Sequence, residues 1–437
     1  MDNSILYTLY KEHPVVTPDS RDCPEGSIFL ALKGESFDGN KFAAKALEQG
    51  CSYAVVDDPA VVPEGDARYV LVADTLVAFK ELARAHRREF TIPVIGITGT
   101  NGKTTTKELV STVLAEKYRV MHTEGNFNND VGVPKTLLRL NGDHEIAVVE
   151  MGASHPGDIK KLVEYVEPTC GLITNVGRAH LQGFGSFEGV KRTKGELYDY
   201  LAAHDGLLFL NEGNEDLVAM ASEREMERII GYGQSEETDY HVRGHVLACD
   251  PFVRFAWSAE GVNGEYEVET HLVGAYNIDN LLAAIAVGLH FGVSPQQICH
   301  ALSHYQPSNN RSQLTETEHN TLVVDAYNAN PSSMAAAIEN FRLMNVGKSK
   351  LAILGDMREL GEVSGEEHQK VVNALLSAGI THVWLVGPEF AKTNTTFRKF
   401  PDVEAVKEAI AQQQPKDKLI LIKGSNGIKL FELPELL

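Results

Sequence analysis

Pro93-Val-Ile-Gly-Ile-Thr98 runs straight into Gly99-Thr-Asn-Gly102-Lys103-Thr104-Thr105, and a helical pattern continues from Lys103 to Glu116. The first six residues are a short apolar run, which reads as a strand buried on both faces. Glycines in the turn let several main-chain N–H groups converge on one anion, and the start of the helix adds its positive partial charge. Lys103 is placed to reach β- and γ-phosphates, and the Thr104 hydroxyl to bind Mg²⁺. The common spacing G-x-x-x-x-G-K-[ST] asks for glycine at position 97, where this chain has Ile97. The stretch therefore reads as a phosphate loop of variant spacing. Gly99, Thr100, Asn101, Gly102, Lys103, Thr104 and Thr105 are the expected polyphosphate contacts.

Outward from this loop, strand-like runs at 119–122, 146–150, 170–174 and 206–210 alternate with helical patterns. That alternation predicts a parallel sheet with helices on both faces. Segment 235–275 has alternating residues instead and reads as an antiparallel insert, followed by an apolar helix over 277–291. Upstream, short strands at 27–32, 53–56 and 69–72 precede a helix over 75–88. Downstream, Gln306-Pro-Ser-Asn-Asn310 is turn-rich and reads as a linker. Beyond it, strands at 321–325, 350–355, 381–386 and 418–423 alternate with helices at 333–344, 365–378 and 403–412, a second doubly wound unit. The expected fold is α/β with three domains. These are a small α/β N-terminal domain (1–90), a central P-loop-type parallel-sheet ATPase domain (91–306) and a C-terminal Rossmann-like domain (307–437).

The 437 residues carry 40 Lys and Arg against 60 Asp and Glu, a formal charge of −20, so general electrostatic binding to nucleic acid is excluded. A local basic pocket for a phosphorylated small molecule is not. Cys23, Cys51, Cys170, Cys249 and Cys299 lie far apart in sequence without metal spacing, which predicts reduced thiols in a cytoplasmic protein. No apolar run approaches the roughly 18 residues of a membrane helix, so no membrane insertion is expected. The opening stretch, MDNSILYTLYKEHP, lacks the basic start and apolar core of a secretory signal.

Further polar clusters fall where strands end, and in doubly wound sheets ligands sit at the carboxyl ends of strands. Glu150 closes the run Ile146-Ala-Val-Val149 and could hold Mg²⁺ beside the phosphates; alone, such a residue is more often a solvated turn. His180, in Asn175-Val-Gly-Arg-Ala-His180, is either a second metal ligand or an ordinary loop histidine. Lys191, Arg192 and Lys194 give a helix over 187–201 a basic face. Asn277 and Asn280, three apart, share a helix face and could contact a nucleotide. Asp325-Ala-Tyr327-Asn328-Ala-Asn330-Pro331 and Gly355-Asp356-Met-Arg-Glu359-Leu-Gly361 follow two strands of the third block and suggest a ligand crevice. Ser20, Arg21, Lys33 and Asp38 occupy N-terminal turns that could hold a diphosphate. No G-x-G-x-x-G follows a strand of the third block, so a dinucleotide site is not supported.

Taken together these motifs resemble the ATP-dependent Mur ligases of bacterial cell-wall synthesis, over nearly the whole chain. Thr98-Gly-Thr-Asn-Gly-Lys-Thr104 is similar to that family's phosphate loop and accounts for the variant spacing. Gly125-Asn126-Phe-Asn128-Asn129-Asp-Val-Gly132-Val-Pro134, Glu150-Met-Gly-Ala153, Ala179-His180-Leu181, Lys194-Gly-Glu196, Leu354-Gly-Asp-Met-Arg-Glu-Leu-Gly361 and Lys423-Gly-Ser425 resemble its further motifs. Tyr327-Asn-Ala-Asn-Pro331 points to the branch that joins D-alanyl-D-alanine to UDP-N-acetylmuramoyl-tripeptide.

The resemblance implies ATP and two Mg²⁺ ions, with Thr104, Glu150 and His180 as metal ligands and Lys194 carried as a carbamate. Lys103, Glu150, His180 and Lys194 become the expected catalytic set. Asn277, Asn280, Arg311 and Asp325 are implied nucleotide contacts. Ser20, Arg21, Lys33, Asp38, Asn126, Asn128, Asn129, Tyr327 and Asn328 are implied substrate contacts. Tyr276, Asn40 and Asn426 depart from the family's usual residues. A monomer acting on small molecules is expected. The rivals are a sister ligase adding a different amino acid, a small-molecule kinase and a nucleotide switch.

Overall fold

The computed structural model describes residues 3–34, 37–235, 240–307, 313–344 and 347–437. Three sheets organise them. The first is four-stranded and wholly parallel, β1 (Val16–Thr17), β2 (Ile28–Leu30), β3 (Tyr53–Val56) and β4 (Tyr69–Leu71), in that order. Helices Asn3–Glu12 and Thr75–Arg87 pack on one face, through Leu6, Tyr10, Phe79 and Leu82. Helix Ala43–Glu48 covers the other.

The second sheet comprises β5 (Val94–Thr98), β6 (Val120–His122), β7 (Ile146–Glu150), β8 (Cys170–Ile173), β9 (Leu207–Asn211), β10 (Ile229–Gln234), β11 (Val242–Cys249), β12 (Phe252–Ala259) and β13 (Tyr266–Val273). Its order is β13-β12-β11-β10-β9-β8-β5-β7-β6. From β6 to β11 the neighbours run parallel, and only β12 and β13 are antiparallel. The expected antiparallel segment is present in the pairs β11–β12 and β12–β13, but it is not a separate insert. Its strands alternate as read, but β11 pairs in parallel with β10, so they extend the main sheet. Both faces carry a core. Helices Lys103–Ala115, Ile278–His290 and Pro295–His304 lie on one side. Helices Gly132–Leu137, Asp158–Val166 and Phe187–Ala203 lie on the other.

The order places the site. Although β6 intervenes in sequence, β7 lies directly beside β5, with Ile97 opposite Glu150; on the other side Thr98 is opposite Ile173. The phosphate loop, Glu150 and the 174–180 loop therefore leave the sheet at the same edge.

The third sheet has β14 (Gln313–Glu316), β15 (Thr321–Asp325), β16 (Ser349–Gly355), β17 (Val383–Val386), β18 (Arg398–Phe400) and β19 (Lys418–Lys423), in the order β14-β15-β19-β16-β17-β18. All neighbours are parallel except the edge pair β14 and β15. Asp325, Gly355 and Lys423 end adjacent strands, so the Asp325–Pro331 and Gly355–Gly361 segments start at one edge.

The N-terminal unit is bolted to the central one by helix Thr75–Arg87. The Arg87 side chain, buried, donates to the carbonyls of Val166 (3.0 Å), Phe90 (2.6 Å) and Glu167 (3.2 Å). Arg84 and Arg88 reach the Glu167 carboxylate at 3.3 and 2.6 Å. Lys80, also buried, pairs with Asp130 at 2.7 Å. Removing Arg87 strands buried carbonyls, each of which costs on the order of 1–3 kcal/mol. Arg87→Ala is therefore expected to lower the thermal midpoint by an amount equivalent to about 2 kcal/mol or more, read by calorimetry. A midpoint equal to wild type would mean that this junction does not hold the two units together.

Candidate active site

The phosphate loop departs from β5 with Gly99 at φ +143° and re-enters the helix at Gly102 with φ +76°. Both conformations disfavour a side chain, and space forbids one. A Cβ on Gly99 would stand 2.0 Å from Thr174 Oγ1, and one on Gly102 2.7 Å from Asn280 Oδ1. The loop is braced from below by the 174–177 segment. Thr100 N–H donates to Asn175 O (2.9 Å), Asn101 N–H to Asn175 Oδ1 (3.0 Å), and Thr174 Oγ1 to Asn101 O (2.6 Å). Asn175 belongs to a motif the sequence reading quoted, but as context for His180 only. Lys103 Nζ donates to the loop's own carbonyls of Gly99 and Thr100, each at 2.9 Å.

At the next residue, Thr104 Oγ1 donates to Glu150 Oε2 at 2.9 Å, and Asn128 Nδ2 to Glu150 Oε1 at 2.8 Å. Glu150 is 1% exposed. Its main-chain N–H donates to Thr123 Oγ1 (3.0 Å), and Thr123 O in turn accepts from the buried Lys107 Nζ (2.6 Å). Lys107 and Thr123 were not singled out in sequence; their one signal is polar residues where the helix and strand face inward.

Among the described residues no Lys, Arg or His forms an ion pair with Glu150, and its two hydrogen bonds leave carboxylate lone pairs unused. A buried carboxylate without a cation is costly. An oxygen pair of carboxylate and hydroxyl is what a hard divalent cation takes. The residues thus fit Mg²⁺. Among the described residues no group of three or more His, Cys, Asp or Glu forms a metal cage, which agrees with an ion that keeps waters and takes phosphate ligands.

His180 follows β8 and holds φ +50°. Burial lowers its pKa, and the nearby charges of Lys103 and Lys194 lower it too, against the raising effect of Glu359. Lys194, on helix Phe187–Ala203, is 2% exposed, and its ammonium lies 5.7 Å above the Phe184 ring. Burial and the charge of Lys103 push its pKa well below that of an ordinary lysine. Among the described residues it makes no hydrogen bond or ion pair.

A cavity of about 670 Å³ joins these parts, lined from the central unit by residues including the phosphate loop, Asn128, Asn129, Glu150, His180, Asn277 and Asn280. Its opposite wall is the third unit, with Asp325, Tyr327, Asn328, Asn330, Ser332 and Lys423. Lys423, 1% exposed, binds Asp325 Oδ2 at 2.6 Å and Asn328 O at 3.1 Å. Direct contacts tie the walls together. Asn330 Nδ2 donates to Asn101 Oδ1 (2.7 Å), Arg178 N–H to Ser332 Oγ (3.3 Å), and Gln182 N–H to Glu359 O (3.3 Å), while His180 Nδ1 meets the Glu359 carboxylate.

Other candidates fall differently. Asn277 and Asn280 line the cavity, yet spend much of their polarity inward. Thr106 Oγ1 donates to Asn280 Oδ1, Asn280 Nδ2 to Asn277 Oδ1, and Asn277 Nδ2 to Val273 O. Asp279, which also lines the cavity, was not singled out; burial raises its pKa, against a bond from Gln234. Arg311 lies outside the described residues. Asn126 is exposed and outside the cavity lining.

Ser20, Arg21, Lys33 and Asp38 do not line the cavity. They sit on turns of the N-terminal unit, where Arg21 is gripped by Asp19 (2.8 Å), Lys33 by Asp57 (2.8 Å) and Asp38 by Asn40 (2.9 Å). Lys135 contributes to holding the Asp19 carboxyl down at about 2, after Arg21, which sets this turn near the 126–135 segment. Asp356, read as part of a crevice, turns inward instead. It accepts from Glu389 and Phe390 N–H, both at 2.8 Å, and so starts the short helix Pro388–Ala391.

Three family models match the chain, the Mur ligase family catalytic domain over 14–94, the Mur ligase middle domain over 97–288 and the Mur ligase glutamate ligase domain over 310–426. The chain belongs to the Mur ligase family. Within it, the chain is 34% identical to the UDP-N-acetylmuramoyl-tripeptide–D-alanyl-D-alanine ligase of Bacillus subtilis, over 96% of this chain and 92% of that one. Its fold matches MurF from Acinetobacter baumannii with a TM-score of 0.86 at 31% identity, covering 96% of this chain and 92% of that one. It also matches MurF from Thermotoga maritima in complex with ADP, with a TM-score of 0.84 at 26% identity, covering 97% and 96%.

The loop geometry yields a direct expectation. Gly99→Ala should weaken ADP binding by about tenfold or more, equivalent to about 1.4 kcal/mol, while the protein still unfolds cooperatively. Titration calorimetry that found wild-type affinity would remove the loop from the nucleotide site.

Proposed function

We propose that this protein joins D-alanyl-D-alanine to UDP-N-acetylmuramoyl-tripeptide, converting ATP to ADP and phosphate, in the synthesis of peptidoglycan precursors. The observation that carries the reading is the shared cavity. A phosphate loop and a buried carboxylate form one wall, and a second α/β unit brings Asp325, Tyr327, Asn328 and Lys423 to the other. The family, and relatives named for this reaction along nearly their whole length, give the substrates.

In this reading the N–H groups at the start of the helix that opens at Lys103, and the Lys103 ammonium, take the β- and γ-phosphates, and Lys103 leaves the Gly99 and Thr100 carbonyls to do so. Thr104 and Glu150 would hold Mg²⁺ and His180 would help to hold a second; bound there, the ions neutralise charge developing on the phosphoryl oxygens. Asn277, Asn280, Arg311 and Asp325 serve the nucleotide, the first two as a wall whose amides lock onto the loop helix. The UDP end lies along Ser20, Arg21, Lys33 and Asp38, and the tripeptide passes the Asn126, Asn128 and Asn129 segment toward Glu150. Tyr327 and Asn328 face D-alanyl-D-alanine.

The tripeptide carboxylate attacks the γ-phosphorus, giving an acyl phosphate and ADP. The D-alanyl-D-alanine amine then adds to the acyl carbon, and phosphate leaves with its electron pair as the amide forms. Both steps gather negative charge, which Lys103 and the helix N-terminus stabilise. An acyl phosphate is lost to water unless the site is closed. The contacts from Asn101 to Asn330 and from Arg178 to Ser332 hold the third unit over the site. The reading puts the protein in the cytoplasm, as a monomer of three domains divided near 90 and 306. No helix among the described residues is long and apolar enough to cross a membrane.

Lys194 fits the proposed carbamate. Its amine is buried, has no hydrogen-bond or ion-pair partner among the described residues and is held toward the neutral form, which is the form that adds CO₂ and releases a proton. A carbon-13 carbamate signal is expected after incubation with labelled bicarbonate, absent in Lys194→Arg, whose activity should fall by about 10–100-fold. A labelled signal unaffected by that substitution would move the modification elsewhere.

The reading itself is tested by phosphate release with each substrate omitted in turn. Release is expected to need both UDP-N-acetylmuramoyl-tripeptide and D-alanyl-D-alanine, with one pentapeptide product per phosphate. Release indifferent to D-alanyl-D-alanine would indicate a sister ligase, and a stable phosphorylated product a kinase.

A further inference from the structure

His180 and Glu359 meet across the boundary between the central and third units, and both hold left-handed backbone, at φ +50° and φ +62°. For residues with a β-carbon that conformation costs on the order of 1–3 kcal/mol each, and it persists only where the surroundings enforce it. A single hydrogen bond to a carboxylate returns about 1.5–3 kcal/mol, against two such backbones. Stability alone therefore does not explain two such backbones facing each other.

The mount of Glu359 is rigid. The preceding Asp356 is fixed by two main-chain N–H groups, Arg358 N–H donates to Ser425 Oγ at 3.0 Å, and the Arg358 guanidinium reaches Gly427 O at 3.2 Å. Glu359 also accepts the Gln182 N–H on its own carbonyl, so one residue grips the His180 loop by both main chain and side chain. Gly361, at φ +59°, turns the chain beside Gln182 in a conformation that favours glycine.

We propose that Glu359 is a positioning residue, delivered by the third domain, which fixes the ring of His180 through Nδ1 and leaves Nε2 to face the phosphate and metal site. The inference rests on the reading of His180 given above. A carboxylate on the far nitrogen of a ligating imidazole sets its tautomer and raises its basicity toward a ligand. Here that carboxylate comes from another domain, so His180 is oriented only when the third unit is docked. Chemistry is thereby coupled to closure at one atom pair.

The test uses the full-length protein with nitrogen-15-labelled histidine, the His180 signals being assigned by their loss in His180→Gln. In wild type, His180 is expected as a neutral ring protonated at Nδ1. In Glu359→Ala that population should shift toward the other tautomer, whereas Glu359→Gln, which keeps an acceptor, should retain it. In parallel, Glu359→Ala should raise the Mg²⁺ concentration for half-maximal activity and lower kcat by about 10–100-fold, with ADP binding and the KM for UDP-N-acetylmuramoyl-tripeptide unchanged, and Glu359→Gln should fall between. Unaltered His180 signals in Glu359→Ala would overturn the proposal, as would a lowered melting temperature with wild-type Mg²⁺ dependence. The nitrogen-15 readout needs no substrate, so it stands apart from any failure of wild type to form the pentapeptide product.

Discussion

The structure depends on one demand, that the main chain turn from a buried strand into a helix within four residues, with the Thr100 and Asn101 N–H groups tied down on Asn175. That demand fixes Gly99 and Gly102 in conformations that side chains resist, and it packs the loop against Thr174 so closely that no Cβ fits. Everything else in the site is placed by the same strand. Because β7 and β8 flank β5, Glu150 and His180 emerge on either side of the loop. The helix that begins at Lys103 then carries Thr104 to Glu150 and Lys107 to the support behind it.

The three units divide the work by rigidity. Helix Thr75–Arg87 seals the N-terminal unit to the central one through buried arginine-to-carbonyl bonds, an arrangement suited to a fixed platform for one long substrate. Around the cavity the third unit meets the central one through polar contacts, among them Asn101 to Asn330 and His180 to Glu359. Interfaces of that kind open and close more readily than apolar ones. A reaction that must admit a second amine and yet exclude water calls for this asymmetry.

Much of this was legible in the chain. The apolar run before Gly99, the two later polar strand ends and the alternation of strands and helices gave the sheets and the loop, because local pattern determines both. Segment 235–275 showed its alternation but not its partner, since pairing of β11 with β10 is a long-range choice. Asn277 and Asn280 were read as facing a ligand; both line the cavity, but spacing cannot tell whether an amide bonds outward or to Thr106. Asp356 and Glu359 sit three residues apart in one motif, and one turns inward while the other crosses to another domain. Lys107, Thr123 and Asn175 were passed over because their role is to hold other residues, which sequence does not mark. The N-terminal turns lie outside the cavity lining, so their part in substrate binding rests on the family alone.

The central claim is that the substrate carboxylate is phosphorylated in the cavity between the phosphate loop and the third domain. The most direct measurement labels that carboxylate of UDP-N-acetylmuramoyl-tripeptide with oxygen-18 and follows the label through one turnover with ATP and D-alanyl-D-alanine. The account predicts phosphate bearing one oxygen-18 per pentapeptide formed, read by mass spectrometry or phosphorus-31 NMR. Unlabelled phosphate, with both labelled oxygens retained in the tripeptide, would contradict it.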